Sequence, residues 1–232
     1  MARGEFIAFL DHDDELTADA LLAVVRALND APDTDVVYTD QDKIDLHGRR
    51  SEPFHKPAWS PAYFESVMYV GHLLVVRASL LRETGGCDSA FDGVQDFELM
   101  LRLGEVTRNI LHLPRILYHW RKIPGSIASD SSAKRGIDDL QRRAVQAHLD
   151  RLRIKAVATA GHSAHRVRVV PAPRSHDPLV SILIPSKDHP ELIGPCLESL
   201  FEKTSYKAFE VVVGDNETTD PEALRILARQ PV

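Results

Sequence analysis

Residues 3–16 read RGEFIAFLDHDDEL. Phe6 to Leu10 is a short apolar run that stops at Asp11, His12, Asp13 and Asp14, as a buried strand does where it reaches an exposed edge. Clustered carboxylates beyond a strand end are the oxygen ligands that a hard divalent cation takes, Mg2+ or Mn2+. The same spacing equally describes a solvated acidic turn in which Asp14 caps the following helix. Spacing alone leaves both readings open.

Working outward, Thr17 to Asn29 places apolar residues at Leu21, Leu22, Val24, Val25 and Leu28, a helical pattern with Thr17 as N-cap and Asp19 in the first turn. Asp35 to Thr39 reads as a strand, and Asp40 to Ser51 as a polar segment turning at His47-Gly48. Pro53, Pro57 and Pro61 punctuate a loop before a strand around Leu73 to Val76 and a short helix at Ser79 to Glu83. After the Gly85-Gly86 break a helical pattern resumes at Phe97 to Leu103, which puts Gln95 and Asp96 at a helix N-terminus. Ile110 to Leu113 and Ile116 to Trp120 read as strands around Pro114, followed by a loop at Ile123 to Ser126. Ala133 to Arg153 is an amphipathic helix expected to pack beside the preceding unit.

Proline-rich residues 171–178 mark a linker, after which Leu179 to Ile184, Glu191 to Lys203 and Phe209 to Val213 read as strand, helix and strand. Alternation of strands and helices predicts an α/β fold whose ligands sit beyond the carboxyl ends of the strands. The ends after Leu10 and after Val213 are the two such places. The expected divisions are 1–128, a helical and linker segment 129–177, and a β-α-β unit 178–232.

A net charge of −6 argues against a protein that tracks nucleic-acid phosphates, and 44% hydrophobic residues is enough for a core. Cys87 and Cys196 are far apart, with no zinc-like spacing, and are expected to be buried or idle thiols in a reducing cytoplasm. No run approaches the length of a membrane span, and the N-terminus lacks a signal peptide's apolar region.

Three further clusters carry candidate chemistry. In Gln95-Asp96-Phe97-Glu98 a carboxylate at a helix start suits a general base toward a hydroxyl, or simply complements the helix dipole. In Tyr118-His119-Trp120-Arg121 a strand end offers an imidazole and a guanidinium able to meet diphosphate charge, or ordinary polar residues of an edge strand. Asp215, after the second unit's FEVVV strand, suits acceptance from a nucleobase or ribose, or a turn carboxylate.

Taken in order, these segments resemble the inverting GT-A glycosyltransferases of family 2 that build bacterial surface polysaccharides. RGEFIAFLDHDDEL matches the strand ending in a DxD motif. KPAWSPAYFESVMYVGHLLVVRASLL at 56–81, GVQDFELMLRL at 93–103 and LPRILYHWRKIPGSIA at 113–128 match the elements that follow. By this resemblance Asp13 would bind the metal, Mn2+ or Mg2+, that bridges the donor's diphosphate. Asp11 would touch the ribose or the metal shell, and His119 would complete the metal site. Asp96 would be the base and Arg121 would offset charge on the leaving diphosphate. The implied fold is a GT-A-like mixed sheet flanked by helices, and the implied reaction is a single displacement with inversion.

VSILIPSKDHPELIGPCLESL at 180–200 and FEVVVGDNETTD at 209–220 resemble instead the family's opening half, in which Pro185, Lys187 and Asp215 would face the base and ribose. Here Gly214 precedes Asp215, and Glu217 stands where glycine is common. The chain therefore resembles the latter half of one module plus the opening half of the next, incomplete or circularly permuted. The expected partners are a nucleoside-diphosphate sugar and a glycan or lipid-linked acceptor, met in the cytoplasm or at the inner face of the plasma membrane. Exchange of halves between two copies in a homodimer is a further expected route to completion. From other classes, an inactive nucleotide- or glycan-binding module would scaffold a partner transferase, and a metal-dependent phosphate hydrolase would use a similar acidic strand end.

Overall fold

The computed structural model describes residues 2–123 and 136–229, which fall into two compact units, Met1–Ala172 and Pro173–Val232. The loop expected at Pro124 to Ser126, the division expected after residue 128 and the helix start expected at Ala133 lie outside the described residues.

The first unit opens with β1 (Phe6–Phe9), β2 (Glu15–Leu16), α1 (Ala20–Asp30), β3 (Val36–Ile44) and β4 (Arg50–Phe54). It continues through α2 (Pro61–Ser66), β5 (Leu74–Arg77), α3 (Ala78–Glu83), α4 (Gln95–Val106) and β6 (Ile110–Arg121). The sheet runs β1-β5-β3-β6-β2, with β4 paired to the far half of β3. β1 is antiparallel to β5, β5 is antiparallel to β3, and β3 is parallel to β6. Thus β1, β3 and β6 point the same way, and their carboxyl ends deliver Asp11, Asp42 and Arg121 toward one edge of a mixed α/β sheet, consistent with a GT-A fold.

Several local outcomes differ from the expectation. α1 starts two residues later than the pattern predicts, with Asp19 rather than Thr17 at the N-cap position, and the Thr17 hydroxyl donates to Asp19 Oδ1 at 2.8 Å instead of capping a backbone amide. β3 does not stop at Thr39 but runs on to Ile44 with Thr39, Asp40, Gln41 and Asp42 all buried. A buried carboxylate costs several kcal/mol unless paired, on the order of magnitude that decides an element's fate, and here each is paired. Asp40 accepts from the Lys56 amide at 2.9 Å and is bonded to His112 at 2.8 Å and His55 at 3.1 Å. Burial alone would raise the Asp40 pKa, but these bonds outweigh it and hold the carboxyl below its usual range. The two strands expected around Pro114 are one strand, β6. Its register against β3 jumps from Leu113 to Ile116, so proline sits in a bulge where a missing N–H breaks no ladder bond. The loop expected around Pro61 contains α2, with that proline in its first turn.

Phe64, Tyr69 and Phe97 are almost wholly buried, and Trp59 lies 5.1 Å from the Phe64 ring and 6.3 Å from Tyr69. Each such side chain contributes about 1.5–3 kcal/mol by its burial. α5 (Ile137–Arg151) packs against α4, and the hairpin of β7 (Ala156–Ala160) and β8 (Val167–Pro171) follows within the same unit. Its inward stripe is Ile137, Gln141, Ala144, Val145, His148 and Leu149, the i, i+4, i+7, i+8 pattern of a buried helix face.

The second unit contains β9 (Val180–Ser186), α6 (Pro190–Lys203), β10 (Phe209–Asp215) and α7 (Pro221–Arg229). β9 and β10 pair in parallel around Ile193, Leu197 and Val211, the β-α-β arrangement that the sequence predicts. Both cysteines are exposed, correcting the expectation of burial.

Candidate active site

The acidic segment after β1 is latched onto β6. The Asp11 amide donates to Tyr118 Oη at 3.3 Å, and the Tyr118 hydroxyl donates to Asp14 Oδ2 at 2.5 Å. The other oxygen of Asp14 accepts from the Arg121 amide at 2.7 Å. Asp14 is therefore a latch rather than a helix cap. Burial is the main influence on it and raises its carboxyl above the usual range, against the two hydrogen bonds. Arg121 Nε donates to the Asp13 carbonyl at 2.6 Å, Nη1 to the Asp45 carbonyl at 3.3 Å, and Nη2 to Glu15. With Asp14 holding the loop from below and Arg121 from the side, the carboxylates of Asp11 and Asp13 face outward, with the Asp11 side chain 59% exposed and that of Asp13 29%.

Asp11, Asp13, Asp96 and Arg121 all line one cleft of about 760 Å3. Asp96 reaches it from the first turn of α4, where its Oδ1 accepts from the Phe97 amide at 2.8 Å. Glu98, two residues on, does not belong to this set. It is 2% exposed and grips Arg102 through both oxygens at 2.6 and 2.7 Å, while Arg102 donates to the carbonyls of Thr84 and Gly86. This pair closes the C-terminal end of α3 and is structural.

His119 is not on an edge strand and not on the cleft lining; it is buried between β3 and β2. Its Nδ1 meets Asp42 Oδ1 at 2.5 Å, and Asp42 Oδ2 accepts from Arg50 Nε at 2.7 Å. A proton on Nδ1 directed at the carboxylate leaves Nε2 as the lone-pair nitrogen of the neutral ring, the arrangement found behind metal-ligating histidines. Among the described residues no three His, Cys, Asp or Glu side chains converge as a ready cage. Asp11 and Asp13 supply outward oxygens of the kind a hard cation takes, and His119 lies off the cleft that they line.

Sequence reasoning missed Gln41, Asp42 and His72 on the same lining. Gln41 Oε1 accepts from the His72 amide at 3.0 Å, the His72 ring stacks on Tyr118 at 4.8 Å, and its Nε2 lies 3.7 Å from Asp11 Oδ2. The available signal was polar residues embedded in strand-like runs, TDQDKI and YVGHLLVV. Cys87 also lines the cleft, but partial desolvation of its sulfur, with Asp96 and Glu98 nearby, pushes the thiol up despite Arg102. That is the opposite of an activated nucleophile.

Pro185, Lys187 and Asp215 belong to the second unit, gathered at the carboxyl ends of β9 and β10, where Gly214 pairs with Pro185 and Asp215 with Ser186. Asp215 Oδ1 accepts from the Thr218 amide at 3.1 Å. Asp188, beside Lys187, accepts from the amides of Thr219 and Asp220 at 2.7 and 2.8 Å, which hold its carboxyl below the usual range.

Residues 1–85 match the model of Glycosyl transferase family 2. The chain is 42% identical over 229 residues to the O-antigen biosynthesis protein RfbC of Myxococcus xanthus, covering 97% of this chain and 18% of that protein. It is 38% identical over 227 residues to the uncharacterized protein y4gI of Sinorhizobium fredii (strain NBRC 101917 / NGR234), covering 97% of this chain and 25% of that one. The chain spans a quarter or less of the length of these curated relatives.

Proposed function

We propose that the first unit is the catalytic part of a glycosyltransferase acting in polysaccharide synthesis, which moves a sugar from a nucleoside diphosphate to a hydroxyl of a glycan or lipid-linked acceptor with inversion. The observation that carries this reading is the convergence of Asp11, Asp13, Asp96 and Arg121 on one cleft, with the family match over residues 1–85 beneath it. The similarity to a protein named for O-antigen biosynthesis supports a surface polysaccharide as the product. A lipid-linked acceptor would be met at the inner face of the plasma membrane.

Asp13 would hold the cation, while His119, buried behind the cleft lining and bonded to Asp42, would back that site rather than line it. Bound there, the cation would supply Lewis-acid neutralisation of the diphosphate. Asp96 takes the proton of the attacking hydroxyl as its oxygen bonds to the anomeric carbon, while the bond to the diphosphate breaks and its electron pair departs with the leaving group. Arg121 spends its donors on Asp13, Asp45 and Glu15, so it first sets the position of the Asp13 loop. Its contact with the half-exposed Glu15 is the one that a diphosphate can displace.

Alignment over 97% of the chain, and so over both units, with much longer relatives supports reading the chain as spanning the join between two transferase modules, with Pro185, Lys187 and Asp215 in the opening of the second. The deciding experiment is calorimetric titration of the chain with a panel of nucleoside diphosphates and their sugars, with Mn2+ and with chelator. Metal-dependent binding that prefers one base, followed by transfer to acceptor, is expected. Binding without turnover would assign the inactive nucleotide-binding module instead, and no binding would remove the donor-site reading from this chain.

A further inference from the structure

The inward stripe of α5 carries two polar residues among apolar ones, Gln141 and His148. His148 is answered, since its Nδ1 meets Glu105 Oε1 at 2.7 Å and Glu65 stands 3.7 Å from its Nε2. Gln141 is not. It is 7% exposed and lines the cleft, and among the described residues its Oε1 has no hydrogen-bond partner. Trp59 Nε1 is likewise buried and without a partner among the described residues, but it lies off the cleft lining. A buried acceptor left unsatisfied works against folding, and a leucine or methionine would suit this stripe better. An amide retained there and turned into a cleft is an acceptor waiting for a donor.

Its place in the fold says which donor. Glu105, near the C-terminal end of α4, bonds both His148 and Arg151 near the C-terminal end of α5. The two helices therefore lie side by side in the same direction, and their N-terminal halves, one bearing Asp96 and the other Gln141, open onto the cleft together. The flanking wall is apolar, with Val94, Phe97 and Ile137, a surface suited to the carbon face of a pyranose. Asp11 and Asp13 enter from β1.

We infer that Gln141 is a specificity-determining residue of the acceptor subsite, whose Oε1 accepts a hydrogen bond from a hydroxyl of the acceptor pyranose next to the hydroxyl that Asp96 deprotonates. This rests on the proposed transferase reading and adds a residue beyond the segment that the family model matches.

The test uses the whole chain and a panel of methyl hexopyranosides and methyl 6-deoxyhexopyranosides, followed by saturation-transfer NMR. The wild type is expected to bind at least one of them, and Gln141→Leu to bind it about ten-fold more weakly, the loss of one well-made hydrogen bond. Gln141→Leu should melt at the same temperature or higher, a direction that a merely structural glutamine would not give. Should that variant fail to fold, Gln141→Met, closer in length, takes its place. Equal glycoside binding by wild type and variant, or none by the wild type, overturns the inference. Nucleoside diphosphate binding, measured by calorimetry on the same samples, keeps the two readings apart. Its absence from the wild type counts against the transferase proposal alone, and its retention in the variant localises the defect to the acceptor side.

Discussion

Tyr118 and Asp14 stand 104 residues apart in sequence, yet the phenol donates to the carboxylate at 2.5 Å and its oxygen accepts the Asp11 amide at 3.3 Å. One buried hydroxyl on β6 thus fixes both ends of the Asp11–Asp14 segment. Tyr118→Phe keeps the ring and its stacking on His72 but takes the partner from a half-buried carboxylate oxygen and from the Asp11 amide. A loss of about 1–3 kcal/mol in urea unfolding is expected, together with weaker metal-dependent nucleotide binding. Unchanged stability and unchanged affinity would show that the loop holds its shape without the latch.

The roles proposed for Asp13 and Asp96 separate in binding and turnover. Asp13→Ala should abolish nucleotide binding that depends on Mn2+. Asp96→Asn, which sits on α4 and keeps its bond to the Phe97 amide, should bind the donor as wild type does and lose transfer by about 100-fold or more. Calorimetry and a transfer assay on the same preparations measure both quantities. Equal loss of binding in the two variants would contradict this assignment.

The parts of this site that were legible in the sequence are those where apolar pattern and polar residue disagree at a boundary. FIAFL running into DHDD announces a strand end, and QDFE before an apolar helix announces a first turn. Asp42 and His119 were harder. β3 carries TDQDK into the interior, where carboxylates normally signal a loop, and only His55, His112, His119, Arg50 and the Lys56 amide make that burial tolerable. Those partners are 8 to 77 residues away in sequence, so no local window contains them. Gln141 was invisible for a related reason: a glutamine on an amphipathic helix looks solvent-facing until the packed face is known. The α/β character, by contrast, follows from local periodicity: β1, β5 and α4 stand where that periodicity puts them to within a few residues, as does the C-terminal end of α5, whereas β3 runs on to Ile44 instead of stopping at Thr39.

Gly104 lies in the interior of α4, where helix propensity alone favours alanine by about 1 kcal/mol. A Cβ built there would stand 2.9 Å from Trp59 Cζ2, and the indole cannot retreat because Phe64 and Tyr69 pack around it. Overpacking of a filled core costs about 1–3 kcal/mol, so the steric effect outweighs the propensity gain. Gly104→Ala is expected to lower the melting temperature by several degrees. A variant that melts above the wild type would mean that Trp59 has room to move.

Lys56 is 5% exposed, and its ammonium donates to the carbonyls of Val70 and His72 at 2.5 Å each, on either side of Gly71 in the cleft wall. Burial pulls its pKa down to about 7, with Asp40 opposing only in part. The ordinary value of 10.5 applies to the unfolded chain, so between about pH 7 and pH 10 the unfolded state holds more protons than the native one. The sign follows directly: stability rises with pH across that window, at most by about 1.4 kcal/mol per unit. Lys56→Met fills similar space with no titrating group. It loses two hydrogen bonds and is less stable at every pH, but the rise above pH 7 should shrink by that slope. Urea unfolding at half-unit steps from pH 7 to 9.5 compares the two slopes. Parallel curves would show that Lys56 keeps its proton throughout and that the carbonyl pair, rather than burial, governs its titration.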